Sequence, residues 1–413
     1  MIDIAILGYG TVGSGIVEVI NSNKDIITVK AGNEINIKYV FDIRDFPGNP
    51  IQEKITHDFE DILNDDSVKV VAEVMGGVEP AYTFTTKLLK AGKSVVTSNK
   101  ELVALHGATL IKLARENKTN YTFEASVGGG IPIIRPLNTS FSSDEIVEIS
   151  GILNGTTNFI LTKMSDEGRS FDSVLEEAQA LGYAERNPEA DVKGYDACRK
   201  IAILASLALC KTVDYNDIYT EGIEKITPRD LEYVKGMNAC LKLVATCKVL
   251  KEGIFARVVP LIIPLTHPLS MVNDVYNAVF VHGNAVGNTM FYGRGAGKLP
   301  TASACVADII DSARHIGINV RFDWSEEKID LMDIKDVPVK ALIRILSVDQ
   351  DAAKKAAAEF FPDSMIITMD ESETEFAVIT GTETEGSLRE KCRLLSGNKS
   401  VKSIGNMLRM EEQ

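Results

Sequence analysis

Positive charge is scarce in this chain. Its 44 lysines and arginines face 58 aspartates and glutamates, a formal net charge of −14 over 413 residues. That balance argues against general binding to nucleic acid or to an anionic membrane. No apolar run reaches the roughly 18–20 residues of a membrane span. The opening MIDIAILGYG enters a strand with no basic leader, so no signal peptide and a cytoplasmic location are expected. The six cysteines (Cys198, Cys210, Cys240, Cys247, Cys305, Cys392) form no C-x-x-C, which fits free thiols in a reducing compartment. Five histidines without an H-E-x-x-H pattern leave little support for a zinc site or a histidine-centred triad. Any chemistry must therefore use carboxylates, lysines and a cofactor. What is present is a globular composition, 45% hydrophobic and 25% charged, in a chain long enough for two or three domains.

The first pattern is dinucleotide binding. A short apolar run, Ile2–Leu7, reads as a strand and leads into Gly8-Tyr9-Gly10-Thr11-Val12-Gly13 and then a helical pattern. G-x-G-x-x-G between strand and helix permits a tight turn, close approach of backbone to a pyrophosphate, and a helix N-terminus facing the phosphates. A second strand, Ile35–Phe41, ends at Asp42, 29 residues past Gly13. An acid there can bind an adenosine ribose and favour NAD, whereas Arg44 can hold a 2′-phosphate and favour NADP. Both can equally be loop charges.

Further strands are expected at Val68–Val74, Ser94–Thr97 and Tyr121–Glu124. The second delivers Ser98, Asn99 and Lys100 at its carboxyl end, where open α/β sheets place ligands. Lys100 there is a candidate proton carrier or an ordinary surface lysine. Glu124 precedes the turn-rich Ala125–Pro132. Stacked carbonyls with one carboxylate suit a monovalent cation, or the segment is a hinge.

Beyond a helix near Ile133–Asn138 come a strand over Ile146–Leu153, Asn154-Gly155-Thr156-Thr157, and helices over Asn158–Glu167 and Phe171–Leu181. The Asn-Gly-Thr-Thr step is either a helix cap or a source of backbone N–H groups for a ligand. The stretch LGYAERNPEADVKGYDACRK (181–200) then mixes four acids with four bases and runs into the apolar IAILASLALC. A helix apolar on every face is buried. Asp196 and Lys200, four apart, share one face of it. They form either an ion pair at a wet helix end or the floor of a polar pocket, with Glu185 and Asp191 arriving from the preceding loop.

Strands are expected at Val258–Ile263 and Ala278–Gly283. A second glycine cluster, Gly293–Gly297, precedes a helix over Ala302–Ile316 that should return to pack on the first domain. From Pro338 the order strand, helix, strand, strand, helix, strand is ferredoxin-like. The expected architecture is α/β. It comprises an N-terminal Rossmann-type doubly wound sheet (1–130), a central α+β substrate and dimerisation domain (131–327), and a C-terminal βαββαβ unit (338–413).

Six stretches in order, GYGTVGSG, TSNKELVA (97–104), EASVGGGIPII (124–134), GILNGTTNFIL (151–161), 181–200 and GRGAGKLPTASA (293–304), resemble homoserine dehydrogenases with a C-terminal ACT-like domain. The resemblance implies reversible NAD(P)-dependent conversion of L-homoserine to L-aspartate 4-semialdehyde, in threonine, methionine and isoleucine biosynthesis. It implies Lys100, Lys200 and Asp196 at the reacting centre. Glu185 would hold the substrate amino group, with Asn154, Gly155, Thr156, Tyr183 and Asp191 as the rest of the substrate wall. Gly8, Gly10, Thr11, Val12, Gly13, Asp42, Arg44, Ser98, Lys100 and Gly295 would face the cofactor. Glu124 with the carbonyls of Val127, Gly129 and Ile131 would hold a monovalent cation, Na+ or K+. The partners implied are a small-molecule substrate and further copies of the chain in a homodimer or larger homo-oligomer, with neither nucleic acid nor membrane. Arg294 departs from the proline usual in relatives, and Asp349-Gln350-Asp351 stands where a Pro-Gly turn is usual. A dehydrogenase of another amino acid or semialdehyde, or a non-catalytic sensor of nucleotide and amino acid, are the competing readings. The second is disfavoured by the intact Lys100, Lys200, Glu185 and Asp196.

Overall fold

Six short strands line up in parallel in the order β3-β2-β1-β4-β5-β6, with β1 at Ile2–Leu7, β2 at Ile35–Phe41, β3 at Ile55–Thr56, β4 at Val68–Glu73, β5 at Ser94–Thr97 and β6 at Tyr121–Thr122. This is a computed structural model, and it describes residues 1–369 and 373–411. Strands buried on both faces read as continuous apolar runs, and Ile4, Ile6, Val70, Ala72 and Val96 are fully buried. The order is that of a doubly wound sheet, whose ligands sit outside the carboxyl ends of the strands.

The chain divides into two compact units. The first comprises residues 1–149, 199–215 and 278–329. It holds the parallel sheet, and the helix Lys298–Arg314 packs on the helix Thr11–Ser22, as the sequence suggested. That helix begins four residues earlier than expected. Pro300 sits in its first turn, where no N–H partner is lost. The strand expected over Tyr121–Glu124 stops at Thr122, and Glu124 opens a 3₁₀ turn instead.

The second unit comprises residues 150–198, 216–277 and 330–413, of which 370–372 and 412–413 lie outside the described residues. Its sheet contains an antiparallel hairpin, Ala239–Val249 with Ile254–Pro264. Strand Val401–Met410 runs parallel beside the second arm and antiparallel to Pro338–Ser347. Glu375–Ile379 and Met365–Ile367 complete that side. Helices Gln350–Phe360 and Glu385–Leu395 complete a strand-helix-strand-strand-helix-strand order from residue 338, with a two-residue strand, Glu383–Thr384, before the second helix. Arg409, on the strand joining this segment to the hairpin, is 1% exposed and donates to the Glu385 and Glu221 carboxylates.

Candidate active site

In the first unit the site begins at the glycine-rich turn. Gly8 has φ +100°, and a Cβ there would stand 3.1 Å from the Val74 carbonyl oxygen. A Cβ at Gly13 would lie 2.0 Å from the Gly8 carbonyl oxygen, so only glycine lets the helix close on the turn. Gly10 faces open space and caps the helix Thr11–Ser22 without a side-chain bond. The N–H groups of the first turn, at Thr11, Val12 and Gly13, have no partner within an α-helix. They fit a pyrophosphate, whose charge the helix N-terminus also favours.

Asp42 is 6% exposed at the end of β2. Its Oδ2 accepts the Tyr9 N–H at 2.7 Å. The Arg44 backbone N–H and Nε reach Oδ1 at 3.0 and 2.9 Å, and Arg44 Nη2 reaches Oδ2 at 2.9 Å. The Arg44 guanidinium holds the Asp42 carboxyl down to about 2, against the opposing effect of burial. Asp42 and Arg44, weighed from the sequence as alternatives, are thus one bidentate pair pinned to the glycine-rich turn.

Ser98 and Lys100 follow β5, and Lys100 is the first residue of the helix Lys100–Glu116. Asn99 caps that helix, its side chain accepting the Leu102 N–H at 3.1 Å.

Glu124 is 5% exposed. Its Oε1 accepts the N–H groups of Ile133 and Ile134 at 2.6 and 2.8 Å, and its Oε2 that of Arg135 at 2.9 Å. A carboxylate offers about four acceptor positions, so one remains, with the Arg135 Nε 3.9 Å from Oε2. The turn that follows closes with the Ile131 N–H on the Gly128 carbonyl at 2.9 Å. The Gly130 N–H bonds the Arg294 carbonyl at 3.1 Å, so Val127, Gly129 and Ile131 lie in a loop braced by the second glycine cluster. Gly295 is buried there, and a Cβ at Gly129 would stand 2.4 Å from its carbonyl oxygen. Among the described residues no group of three or more His, Cys, Asp or Glu could hold a metal ion.

In the second unit Asn154 is the organising residue. It caps the helix Gly155–Glu167, its Oδ1 accepting the Thr157 N–H at 2.9 Å. The cap reading therefore holds, and the helix starts at Gly155 rather than Asn158. The same side chain also donates through Nδ2 to Asp191 Oδ1 at 2.7 Å and to Asp196 Oδ2 at 3.0 Å. Thr156 donates to the Tyr183 carbonyl at 2.6 Å, and the Tyr183 ring lies edge-on to Phe159, centroids 5.1 Å apart. Asn154, Thr156, Tyr183, Asp191 and Asp196 are thus brought together. A Cβ on Gly155 would lie 2.8 Å from the Val275 carbonyl oxygen.

Asp196 and Lys200 stand one turn apart on the helix Tyr195–Ala208, 4% and 8% exposed. That overturns the reading of a wet helix end. Glu185 is exposed in the preceding loop.

A family model described as homoserine dehydrogenase matches residues 132–310, and one described as homoserine dehydrogenase, NAD binding domain, matches residues 8–124. A homoserine dehydrogenase of Mycobacterium bovis is 35% identical, the match covering 99% of this chain and 98% of that one. The chain belongs to the homoserine dehydrogenase family. It is accordingly an oxidoreductase with an NAD-binding domain. A Lactococcus lactis homoserine dehydrogenase is 44% identical across 75% of this chain and 73% of its own length. The crystal structure of a Thiobacillus denitrificans homoserine dehydrogenase aligns with TM-score 0.90 and 32% identity, over 100% of this chain and 98% of that one. A hyperthermophilic archaeal homoserine dehydrogenase mutant in complex with NADPH aligns over 75% of this chain with TM-score 0.64 and 30% identity.

Two buried acids escaped the sequence reading. Glu73 ends β4 fully buried. Asp308 is buried in the helix Lys298–Arg314, where its Oδ2 accepts the Glu124 N–H at 2.8 Å and its other oxygen pairs with Arg135. Burial pushes the Asp308 carboxyl up to about 7, with Arg135 opposing. The available signal was an acid inside an apolar run, at VVAEV for Glu73 and ACVADII for Asp308.

Proposed function

We propose that the chain interconverts L-homoserine and L-aspartate 4-semialdehyde with NAD(P), in the biosynthesis of threonine, methionine and isoleucine. The observation that carries the substrate assignment is the Asn154 side chain, which holds Asp191 and Asp196 at the N-terminus of the helix Gly155–Glu167. The carboxylates offer acceptors for an ammonium, and the N–H groups of the helix N-terminus offer donors for a carboxylate, as a zwitterionic amino acid requires.

When bound, the nicotinamide supplies the hydride chemistry. The work left to the chain is to orient the alcohol and move one proton. Lys100 and Lys200 carry that proton in this proposal, and Asp196 orients the substrate hydroxyl. In the reducing direction a lysinium stabilises the developing alkoxide and then protonates it. Gly8, Gly10, Thr11, Val12, Gly13, Ser98 and Gly295 hold the cofactor, and Glu124 with the carbonyls of Val127, Gly129 and Ile131 holds Na+ or K+. The segment from residue 338 is an ACT-like domain, supported by its helix order and by the strand order in which Pro338–Ser347 lies between Val401–Met410 and Glu375–Ile379. The working enzyme is a cytoplasmic homodimer or larger homo-oligomer.

Substrate recognition is tested at Glu185. In the proposal it takes the substrate ammonium, which ground state and transition state share, so its loss belongs in KM. Charge-assisted bonds run to about 1.5–3 kcal/mol when shielded, and exposed pairs to about 0–1 kcal/mol. Glu185 is exposed, so Glu185→Gln should raise the homoserine KM by up to about fivefold, leaving kcat and cofactor KM in place. Steady-state kinetics with homoserine varied at saturating cofactor decides it, and an unchanged KM removes Glu185 from the substrate wall.

Cofactor preference is tested at Asp42. Its carboxylate repels a 2′-phosphate and holds the Arg44 guanidinium, so the wild-type chain favours NAD. Asp42→Ala removes the repulsion and releases Arg44. The ratio of kcat/KM for NADP over NAD should rise roughly tenfold, the equivalent of about 1.4 kcal/mol. An unmoved ratio would leave Asp42 as a brace for the Tyr9 turn alone.

A further inference from the structure

The buried carboxylate of Glu73 has no part in the chemistry proposed above. It ends β4, 0% exposed, in the neighbourhood of both the glycine-rich turn and the segment that carries Lys100. Burial pushes it above the usual carboxylate range, so the fold keeps it at a cost in desolvation. Such a group calls for a reason, and its hydrogen bonds supply one.

Its Oε1 accepts the Met75 N–H at 2.9 Å. This folds the Val74–Gly77 segment back at the strand end, where Val74 and Met75 come within 3.2 Å of the position a Cβ would take on Gly8. Its Oε2 accepts the Thr97 hydroxyl at 2.7 Å. That hydroxyl in turn accepts the Asn99 N–H at 2.9 Å. Asn99 Nδ2 donates to the Gly77 carbonyl at 2.5 Å, and its Oδ1 accepts the Leu102 N–H as the cap of the helix that opens with Lys100. The path therefore forms a closed loop: Glu73, Thr97, Asn99, Gly77 and back along the chain to Glu73. Every link except the last is a hydrogen bond, and Thr97 and Asn99 are buried. A turn tied at both ends to one buried carboxylate has little freedom, and the residue leaving it inherits that rigidity.

We infer that Glu73 and Thr97 are positioning residues for Lys100. The inference rests on the reading of Lys100 as the proton carrier. Misplacing a reacting group by about 1 Å can cost on the order of 10²-fold in rate. A merely structural role would lower stability and leave the turnover of the folded enzyme alone.

The test is Thr97→Val, which keeps the β-branched shape and removes the hydroxyl that joins Glu73 to Asn99. It should lower kcat at least tenfold, with Kd for the nicotinamide nucleotide, read by its fluorescence, within about twofold. Thr97→Ser retains the hydroxyl and should restore most of the lost kcat. Should Thr97→Val not fold, Thr97→Ala removes the same hydroxyl and adds no methyl contact. The deciding comparison is a double-mutant cycle with Lys100→Met. If Thr97 acts through Lys100, Thr97→Val costs nothing further in the Lys100→Met background. Normal kcat in folded Thr97→Val overturns the inference, as does an equal loss in both backgrounds. Normal kcat in Lys100→Met alone would instead overturn the underlying role of Lys100, and the cycle reports the two failures separately.

Discussion

Lys100→Met is expected to lower kcat by roughly 10²–10⁴-fold, the usual worth of a positioned acid or base. Methionine keeps the length and apolar stem and removes the ammonium. Proton transfer belongs to the transition state, so kcat and kcat/KM should fall together while the homoserine KM stays near its original value. The side chain leaves the first residue of a helix whose cap is buried and doubly bonded, so the variant should fold. Steady-state kinetics in both directions measures the effect. A near-normal kcat would move the proton to Lys200 alone.

The second large effect is on stability. Arg409→Met leaves two acids behind. Glu385, 0% exposed, loses both bonds from Arg409, and Glu221 loses one at 2.7 Å. Breaking one side of a buried ion pair costs about 3–5 kcal/mol. The low end applies, because Arg389 still donates to Glu385 and the Tyr219 hydroxyl to Glu221. Burial pushes the Glu385 carboxyl up, and the hydrogen bonds of Arg409 and Arg389 bring it below its ordinary range. A depressed carboxyl contributes stability above its unfolded value and loses it as pH falls through the folded one. The wild-type unit should therefore weaken on acidification, and Arg409→Met should flatten that dependence. Urea unfolding across pH 3–7 (roughly the span over which carboxyls titrate) checks both. Unfolding midpoints that match the wild type would show that Arg409 stabilises nothing net.

The same residues bear on whether the C-terminal segment can be removed. As an independent domain, residues 338–413 should come away and leave a soluble enzyme. Yet Val401–Met410 pairs with Ile254–Pro264, and Arg344 bonds Asp230 at 2.9 Å and Glu375 at 2.9 Å. Cutting before Pro338 exposes a sheet edge and strands Asp230 and Glu221 without their arginines. An unpaired edge is a site for aggregation, so the truncated chain should precipitate.

What the sequence disclosed was local. The first strand, the glycine-rich turn and its helix are written in 21 consecutive residues, and the need for glycine at Gly13 arises within them. The cap at Asn154 was visible as a residue type, but its grip on Asp191 and Asp196 depends on the chain returning about forty residues later. Strand Ala239–Val249 went unread because it is buried on both faces and shows no alternation. Its Lys242 is 3% exposed, with acceptors at Asn158, Val272 and Asn273 that no spacing in the sequence connects. The pairing of Asp42 with Arg44 was hidden for a different reason. Two charges two residues apart look independent until the Tyr9 N–H fixes one of them in place.

Oxidation of homoserine with a nicotinamide cofactor can be followed directly. The most direct measurement adds L-homoserine to the purified protein, with NAD and separately with NADP, and follows the absorbance of reduced nicotinamide. A homoserine-dependent rise is expected, faster with NAD and abolished on this timescale by Lys100→Met. No rise with either cofactor, from a protein that is folded and binds nucleotide, would contradict the proposed function.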